Sequence, residues 1–278
     1  VTAPPFAYFG GKTTSAGRIA AHFHPHRHYV EPYAGSLAVL LAKPPSRMET
    51  VNDLDAAVMT FWRVLRDRPD ELVRACQLTP HSRAEWESCE ELDVVSDELE
   101  IARRLWVRAS QGRTGRLRNS GWRHYVSPGA TGTAFPSYLD GYVERMAVAA
   151  ERLHKVSLEC RPALELIEKY GADEDVLLYV DPPYLGSTRG SRAYRHEMPE
   201  IDAHCELAEA LRRCRASVVL SGYPSRLYDF ELYPDWHRAT FTSGTGQGSN
   251  GWSNRTEVLW SNREPVTHLF SDHSEPAS

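Results

Sequence analysis

The chain has 278 residues, a formal net charge of −5, 41% hydrophobic and 25% charged residues, which permits one large α/β domain or a domain with a sizeable insertion. No apolar run is long enough to span a membrane, and the negative balance leaves any nucleic-acid partner to a local basic patch. Residues 1–14 lack the basic head and apolar core of a signal peptide, and the five cysteines form no CxxC pair, so a cytoplasmic protein with reduced thiols is expected.

In chain order, Tyr8-Phe9-Gly10-Gly11-Lys12 comes first: paired glycines let the backbone approach a ligand, and Lys12 adds a cation. A helix is predicted over 15–22. His22, His24, His26 and His28 alternate around Pro25. A proline-broken segment with no neighbouring cysteine or carboxylate cluster reads as a surface loop, and no metal is expected. Tyr29-Val30-Glu31-Pro32-Tyr33-Ala34-Gly35-Ser36-Leu37-Ala38 reads as strand, tight small-residue turn and helix, a place where a cofactor can lie against the backbone. Thr50-Val51-Asn52-Asp53-Leu54-Asp55 is a short strand ending in acids. Asp53 lies about 20 residues past the turn, where such folds bind ribose hydroxyls. Capping the helix predicted over 56–65 is its other reading.

From 66 to 152 the texture changes. Segments 69–78 and 83–86 read as helical and 87–100 as acidic. Then Arg103, Arg104, Arg108, Arg113, Arg116, Arg118 and Arg123 follow with no acid between them. Trp106, Trp122 and Tyr125 interleave, and Gly112, Gly115, Gly121 and Gly129 open loops. This pattern predicts DNA contact. Arg103, Arg104 and Arg108 recur at helical spacing, as a face laid along phosphates would. Arg116 and Arg118 flank Leu117 on a loop able to enter a groove.

Helices are predicted over 141–153, 163–170 and 202–214, strands over 156–160, 217–223 and 255–260. Segments 186–196 and 242–254 read as Gly/Ser-rich mobile loops, and the polar tail from 264 as disordered. The central stretch is Leu177-Leu178-Tyr179-Val180-Asp181-Pro182-Pro183-Tyr184. A buried strand stops at an acid and two prolines, so Asp181 is expected at a strand's carboxyl end. Pro182 and Pro183 stiffen the turn and hold the Pro182 carbonyl outward beside the Asp181 carboxylate. Tyr184 supplies a flat face. Two acceptors and an aromatic plate suit a planar ring bearing an exocyclic amine.

In this order and spacing, the Gly-Gly-Lys segment, the Glu-Pro-aromatic-x-Gly turn, Asn52-Asp53, Asp181-Pro182-Pro183-Tyr184 and Arg255-Thr256-Glu257-Val258-Leu259-Trp260 resemble the Dam-like, D12 class of DNA N6-adenine methyltransferases. The resemblance covers residues 8–260. It implies a Rossmann-like α/β sheet that binds S-adenosylmethionine, with 1–65 and 153–263 forming the catalytic domain and a mostly helical target-recognition insert at 66–152. It implies double-stranded DNA as substrate. Within the insert, Thr114-Gly115-Arg116-Leu117-Arg118-Asn119 resembles the family's glycine–arginine–asparagine loop. With the spacing, it puts Tyr8, Gly10, Gly11 and Lys12 near the methionine part of the cofactor, Glu31, Pro32, Tyr33, Ala34 and Gly35 beneath it, and Asp53 on the ribose. Arg104, Arg108, Arg113, Arg116, Arg118 and Asn119 are the expected DNA-binding set. A flipped adenine would stack on Tyr184 while Asp181 and the Pro182 carbonyl accept its two N6–H bonds. Three departures from the family pattern stand out: Leu37 replaces a second glycine, Arg161-Pro162 replaces an acid, and the insert is short and departs from the GATC-reading members at most positions. An N4-cytosine methyltransferase shares the Asp-Pro-Pro-Tyr chemistry and stays open as an alternative. So does a DNA-binding homologue without turnover.

Overall fold

The computed structural model describes residues 2–92, 95–118, 120–124, 135–185, 195–196, 198, 200–248 and 251–264. Its frame is a seven-stranded sheet of β1 (His28–Glu31), β2 (Met48–Asn52), β3 (Val156–Glu159), β4 (Val176–Val180), β5 (Ser217–Gly222), β6 (His237–Gly248) and β7 (Gly251–Ser261), in the order β3-β2-β1-β4-β5-β7-β6. The first five strands are parallel, and β7 runs antiparallel to both β5 and β6. β4 is buried at every position, as a parallel strand covered on both faces must be, and its Val-Leu-Leu-Tyr-Val run supplies the apolar surface for both. The strand order reverses between β1 and β4. Connections diverge there, and a crevice opens beyond the carboxyl ends of the two strands. This is a Rossmann-like α/β fold.

Helices α1 (Ala16–Ala20) and α2 (Ala38–Ala42) flank β1. Five more, α3 (Ala56–Asp67), α4 (Pro69–Gln77), α5 (Arg83–Ser88), α6 (Glu98–Gln111) and α7 (Phe135–Leu153), lie between β2 and β3. Their apolar faces do not form a core of their own. Trp62 and Phe61 of α3, Trp106 of α6 and Met146 of α7 share one buried cluster with Val51 and Tyr179 of the sheet. The helical segment is therefore welded to one face of the sheet. The opposite face, with Val30, Leu178 and Leu220, packs under α8 (Ala163–Tyr170) and α9 (Ile201–Arg212) through Ile167 and Leu207.

Two expectations are corrected here. Residues 242–254, read as a mobile loop, belong largely to a long β6–β7 hairpin whose ladder runs from His237↔Ser261 to Gly248↔Gly251. Backbone hydrogen bonds to a partner strand need no apolar alternation, so composition conceals them. Helix α6 starts at Glu98 with Asp97 as its cap, accepting from the Leu99 amide. This brings Glu98 and Glu100, counted with the acidic segment, onto the same helix as the arginines. The tail beyond 264 and most of 186–196 lie outside the described residues.

Leu37 occupies left-handed backbone, φ +53°, at the mouth of α2, and its side chain is fully buried in the core. The conformation that a glycine adopts freely costs a leucine about 1–2 kcal/mol. Core packing holds it there. Truncating a buried leucine typically costs about 2–5 kcal/mol, so Leu37→Gly should lower unfolding stability by roughly 1–3 kcal/mol despite the relieved backbone. Urea denaturation measures this; a stabilised variant would show that strain outweighs packing.

Candidate active site

A cavity of about 270 Å³ opens at the reversal between β1 and β4. Tyr8, Gly10, Gly11 and Lys12 line one wall, Glu31, Pro32, Tyr33, Ala34 and Gly35 the turn after β1, and Asp53 the end of β2. Asp181 and Pro183 close it beyond β4, whereas Pro182 and Tyr184 are not part of the lining. Segments far apart in the chain thus meet at one place because parallel strands end together.

The turn after β1 depends on backbone that only glycine adopts easily. Gly35 has φ +47°, and a Cβ there would sit 2.8 Å from the Tyr8 ring. Its amide donates to Asp53 Oδ2 at 2.9 Å, while Asp53 Oδ1 accepts the Asp55 amide at 2.9 Å. The helix cap is Asp55, which accepts from the Ala57 amide at 3.0 Å. Asp53 instead ties the end of β2 to the turn after β1. Burial pushes its carboxyl up to about 6. Glu31 is buried deeper in effect: burial, reinforced by the nearby Asp181 charge, pushes it up to about 8, although Tyr29 donates to it at 2.8 Å. The buried Glu31 and half-buried Asp53 carboxyls, beside a glycine-lined wall, supply acceptor oxygens suited to a ligand carrying positive charge and hydroxyls.

Where the family pattern has an acid, the backbone of Arg161 is clasped by Asn52, which donates to Arg161 O at 3.0 Å and Pro32 O at 2.9 Å and accepts from Arg161 N at 2.8 Å. The Arg161 guanidinium turns outward to Glu159 and Glu165, leaving Pro162, Ala163 and Leu164 as an apolar lip of the cavity.

Asp181 stands at the end of β4, and three groups meet its Oδ1: Ser221 Oγ at 2.7 Å, Lys12 Nζ at 3.0 Å and the Tyr184 hydroxyl at 3.2 Å. Lys12 also donates to the Tyr184 hydroxyl at 2.5 Å, and that hydroxyl lies 3.1 Å from Glu257 Oε2 of β7. Tyr184 was expected to present an open face. Its ring is instead 8% exposed and edge-on to Tyr223, with centroids 4.5 Å apart. The cause is convergence of Lys12 and Glu257 on its hydroxyl, from strands and loops remote in sequence. Ser221, Glu257 and Asn52 are site residues not singled out from sequence. Asn52 and Glu257 sat inside recognised motifs without a role, and nothing marked Ser221.

The basic stretch divides. Arg108 is 1% exposed, with its guanidinium 3.7 Å from the centre of the Trp86 ring and a hydrogen bond to Trp86 O. It cannot lie along a DNA backbone. Arg103 pairs with Glu85 and Glu100; Arg104 pairs with Glu100 and donates to the carbonyls of Ser88 and Glu91. These pairs hold the Glu100 carboxyl near 2, mainly through the Arg103 hydrogen bonds. Acids absent from the arginine run itself come from α5 and the first turn of α6, so these arginines brace the helices rather than form a basic face.

The loop after α6 is different. Arg113 and Arg118 are exposed, and Arg116 lies over the Phe9 ring at 4.6 Å. Gly115, φ +65°, packs so tightly on the Tyr8 backbone that a Cβ would come within 2.8 Å of its nitrogen, and the Phe9 amide donates to Gly115 O at 3.0 Å. The loop therefore abuts the cavity wall, and of its arginines Arg116 touches that wall through Phe9. Asn119 and Tyr125 lie outside the described residues.

The family model described as D12 class N6 adenine-specific DNA methyltransferase matches residues 8–239. No curated protein matches the chain. Solved structures similar to it include precorrin 8w decarboxylase from Methanobacterium thermoautotrophicum, 10% identical at TM-score 0.41, covering 94% of this chain and 98% of that one. A SAM dependent methyltransferase from Agrobacterium tumefaciens is 11% identical at TM-score 0.37, covering 89% and 59%. The rRNA methyltransferase aviRa from Streptomyces viridochromogenes is 14% identical at TM-score 0.36, covering 94% and 88%.

Two outcomes follow from the buried charges. Between about 4.5 and about 8 the native state keeps a proton on Glu31 that the unfolded chain has released. Its contribution therefore makes stability fall as pH rises through that window. Glu31→Gln should flatten this part of the stability–pH curve; an unchanged slope in denaturant melts would contradict it. Arg108→Ala should destabilise the fold by about 2 kcal/mol or more, since it strips a buried cation–π and hydrogen-bond partner. Arg118→Ala, at an exposed position, should leave stability unchanged within about 0.5 kcal/mol. Paired urea melts give both values.

Proposed function

Because the chain belongs to the D12 class N6 adenine-specific DNA methyltransferase family, and so transfers a methyl group from S-adenosylmethionine to N6 of adenine in DNA, we propose that Asp181, Pro182 and Tyr184 form the amine site and that the cavity beside them holds the cofactor. The observation that carries this reading is the position of Asp181: its carboxylate lines the same cavity as Lys12, Gly35 and Asp53, at the reversal of strand order. The family match decides for adenine over cytosine and for an enzyme over a retired binder. Tyr8, Gly10, Gly11 and Lys12 would hold the methionine part, Glu31 to Gly35 would lie beneath it, and Asp53 would bind the ribose. When bound, S-adenosylmethionine supplies the methyl group as the electrophilic carbon of a sulfonium.

Adenine N6 is a weak nucleophile because its lone pair is delocalised into the ring, and in a duplex it is held in a base pair, in the plane of the stack. Double-stranded DNA with the target base flipped out is therefore the proposed substrate form. Asp181 Oδ1 is occupied by Ser221, Lys12 and Tyr184, and among the described residues Oδ2 accepts no bond. Oδ2 and the Pro182 carbonyl are the acceptors available to the two N6–H groups. Accepting both draws the nitrogen toward tetrahedral geometry and stabilises the positive charge that develops on it. Holding the amine in line contributes further rate through orientation. Stacking of Tyr184 on the flipped ring requires its ring to leave the contact with Tyr223.

We assign target recognition to 66–152 and catalysis to 1–65 with 153–263. Within the former, the loop of Arg113, Arg116, Arg118 and Asn119 is the proposed reader, next to the cavity, while Arg104 and Arg108 serve the fold. A cytoplasmic setting is supported by five free cysteines, and among the described residues no helix is long and apolar enough to cross a membrane.

Asp181→Ala should abolish methyl transfer with the fold intact, and Asp181→Asn should lose at least about 100-fold, because it keeps the shape without the charge. Nucleoside analysis of unmethylated plasmid DNA incubated with each variant and S-adenosylmethionine reads this out. Near wild-type N6-methyladenine from Asp181→Ala would place the site elsewhere.

A further inference from the structure

Glu257 lies on β7, opposite Phe241 of β6, and it is 5% exposed. Its Oε2 stands 3.1 Å from the Tyr184 hydroxyl and 3.9 Å from Lys12 Nζ. Lys12, also 5% exposed, lies between Glu257 and Asp181, and the Tyr184 hydroxyl faces both carboxylates at nearly equal distance. We propose that Glu257 is a positioning residue for methyl transfer, one that keeps Asp181 an effective acceptor by drawing the Tyr184 hydroxyl proton and part of the Lys12 charge to itself. The inference rests on the assignment of Asp181 to the amine.

Tyr184 has a single hydroxyl proton and takes a hydrogen bond from Lys12, so it donates to one carboxylate at a time. Burial and the two carboxylates push the phenol well above its usual range, so it stays neutral. With Tyr184 neutral, Lys12 faces two carboxylates, so among these four described side chains acids outnumber bases by one. That excess favours an amine that becomes positive as its new C–N bond forms. Remove the Glu257 charge and, of the two carboxylates described beside Lys12, only Asp181 keeps its charge, and the Tyr184 proton turns to Asp181 as well. Both changes weaken Asp181 as an acceptor without touching the cofactor cavity, which Glu257 does not line.

A residue that only secured β7 would lower stability or binding when replaced, whereas this role affects the chemical step. The test uses the full chain, tritiated S-adenosylmethionine and unmethylated plasmid DNA, in single turnover. Glu257→Gln should slow methyl transfer roughly tenfold or more, the effect of losing a charge-assisted contact, with affinities for cofactor and DNA and the melting temperature essentially unchanged. Glu257→Asp, which restores charge at greater distance, should recover part of the rate. Combined with Tyr184→Phe, Glu257→Gln should cost less than the product of the two single losses, since both act on one hydrogen bond. An unchanged rate in Glu257→Gln, a loss confined to cofactor or DNA affinity, or fully multiplicative losses would overturn the proposal. Turnover surviving in Asp181→Ala would instead overturn the assignment on which it rests.

Discussion

Parallel pairing of β1 with β4 is the constraint on which this molecule depends. The two strands are separated in sequence by the whole helical segment and by β2 and β3, yet Val30 pairs with Leu178. Parallel neighbours cannot be joined by a tight turn, so the intervening chain must cross over and return. Once they pair, their carboxyl ends lie side by side. The Glu31 turn and the Asp181 turn then face one cavity, close enough for the Asp181 charge to help keep Glu31 protonated.

Around this pairing, polar groups are buried in linked sets. Asp53 fastens the turn after β1 to the end of β2, Asn52 fastens the end of β3 to the same turn, and Ser221 fastens β5 to Asp181. Each group is satisfied by backbone or side chains of a neighbouring strand. Burial without such partners would cost a few kcal/mol per group. The site is held by strand ends, which gives it rigidity, while the loop beside it contributes exposed arginines.

The helical segment between β2 and β3 shows how charge is spent in two ways within one run. On α6, Arg103 and Arg104 meet acids one turn away or on α5, Arg108 is buried against Trp86, and all three become internal struts. Past Gly112 the chain leaves the helix, no acid is nearby in sequence, and Arg113 and Arg118 remain exposed. Gly115 presses this loop onto the Tyr8 backbone, so a change in the loop is felt at the cavity wall.

Much of this was legible in the sequence because it is local. A buried strand that stops at Asp-Pro-Pro announces Asp181, paired glycines announce a close backbone approach, and the spacing of Asp53 from the turn announces the neighbouring strand end. Periodicity marked most helices for the same reason: side-chain pattern reports which face is apolar. What tertiary structure decided is whatever depends on partners distant in the chain. Arg108 reads as basic surface until Trp86 covers it. Tyr184 reads as an open plate until Lys12 and Glu257 meet its hydroxyl. Strand β6 has no pattern of its own and exists because β7 offers it a ladder. Charge, exposure and strand pairing are properties of an environment, and residues far apart in sequence make that environment only when the sheet closes.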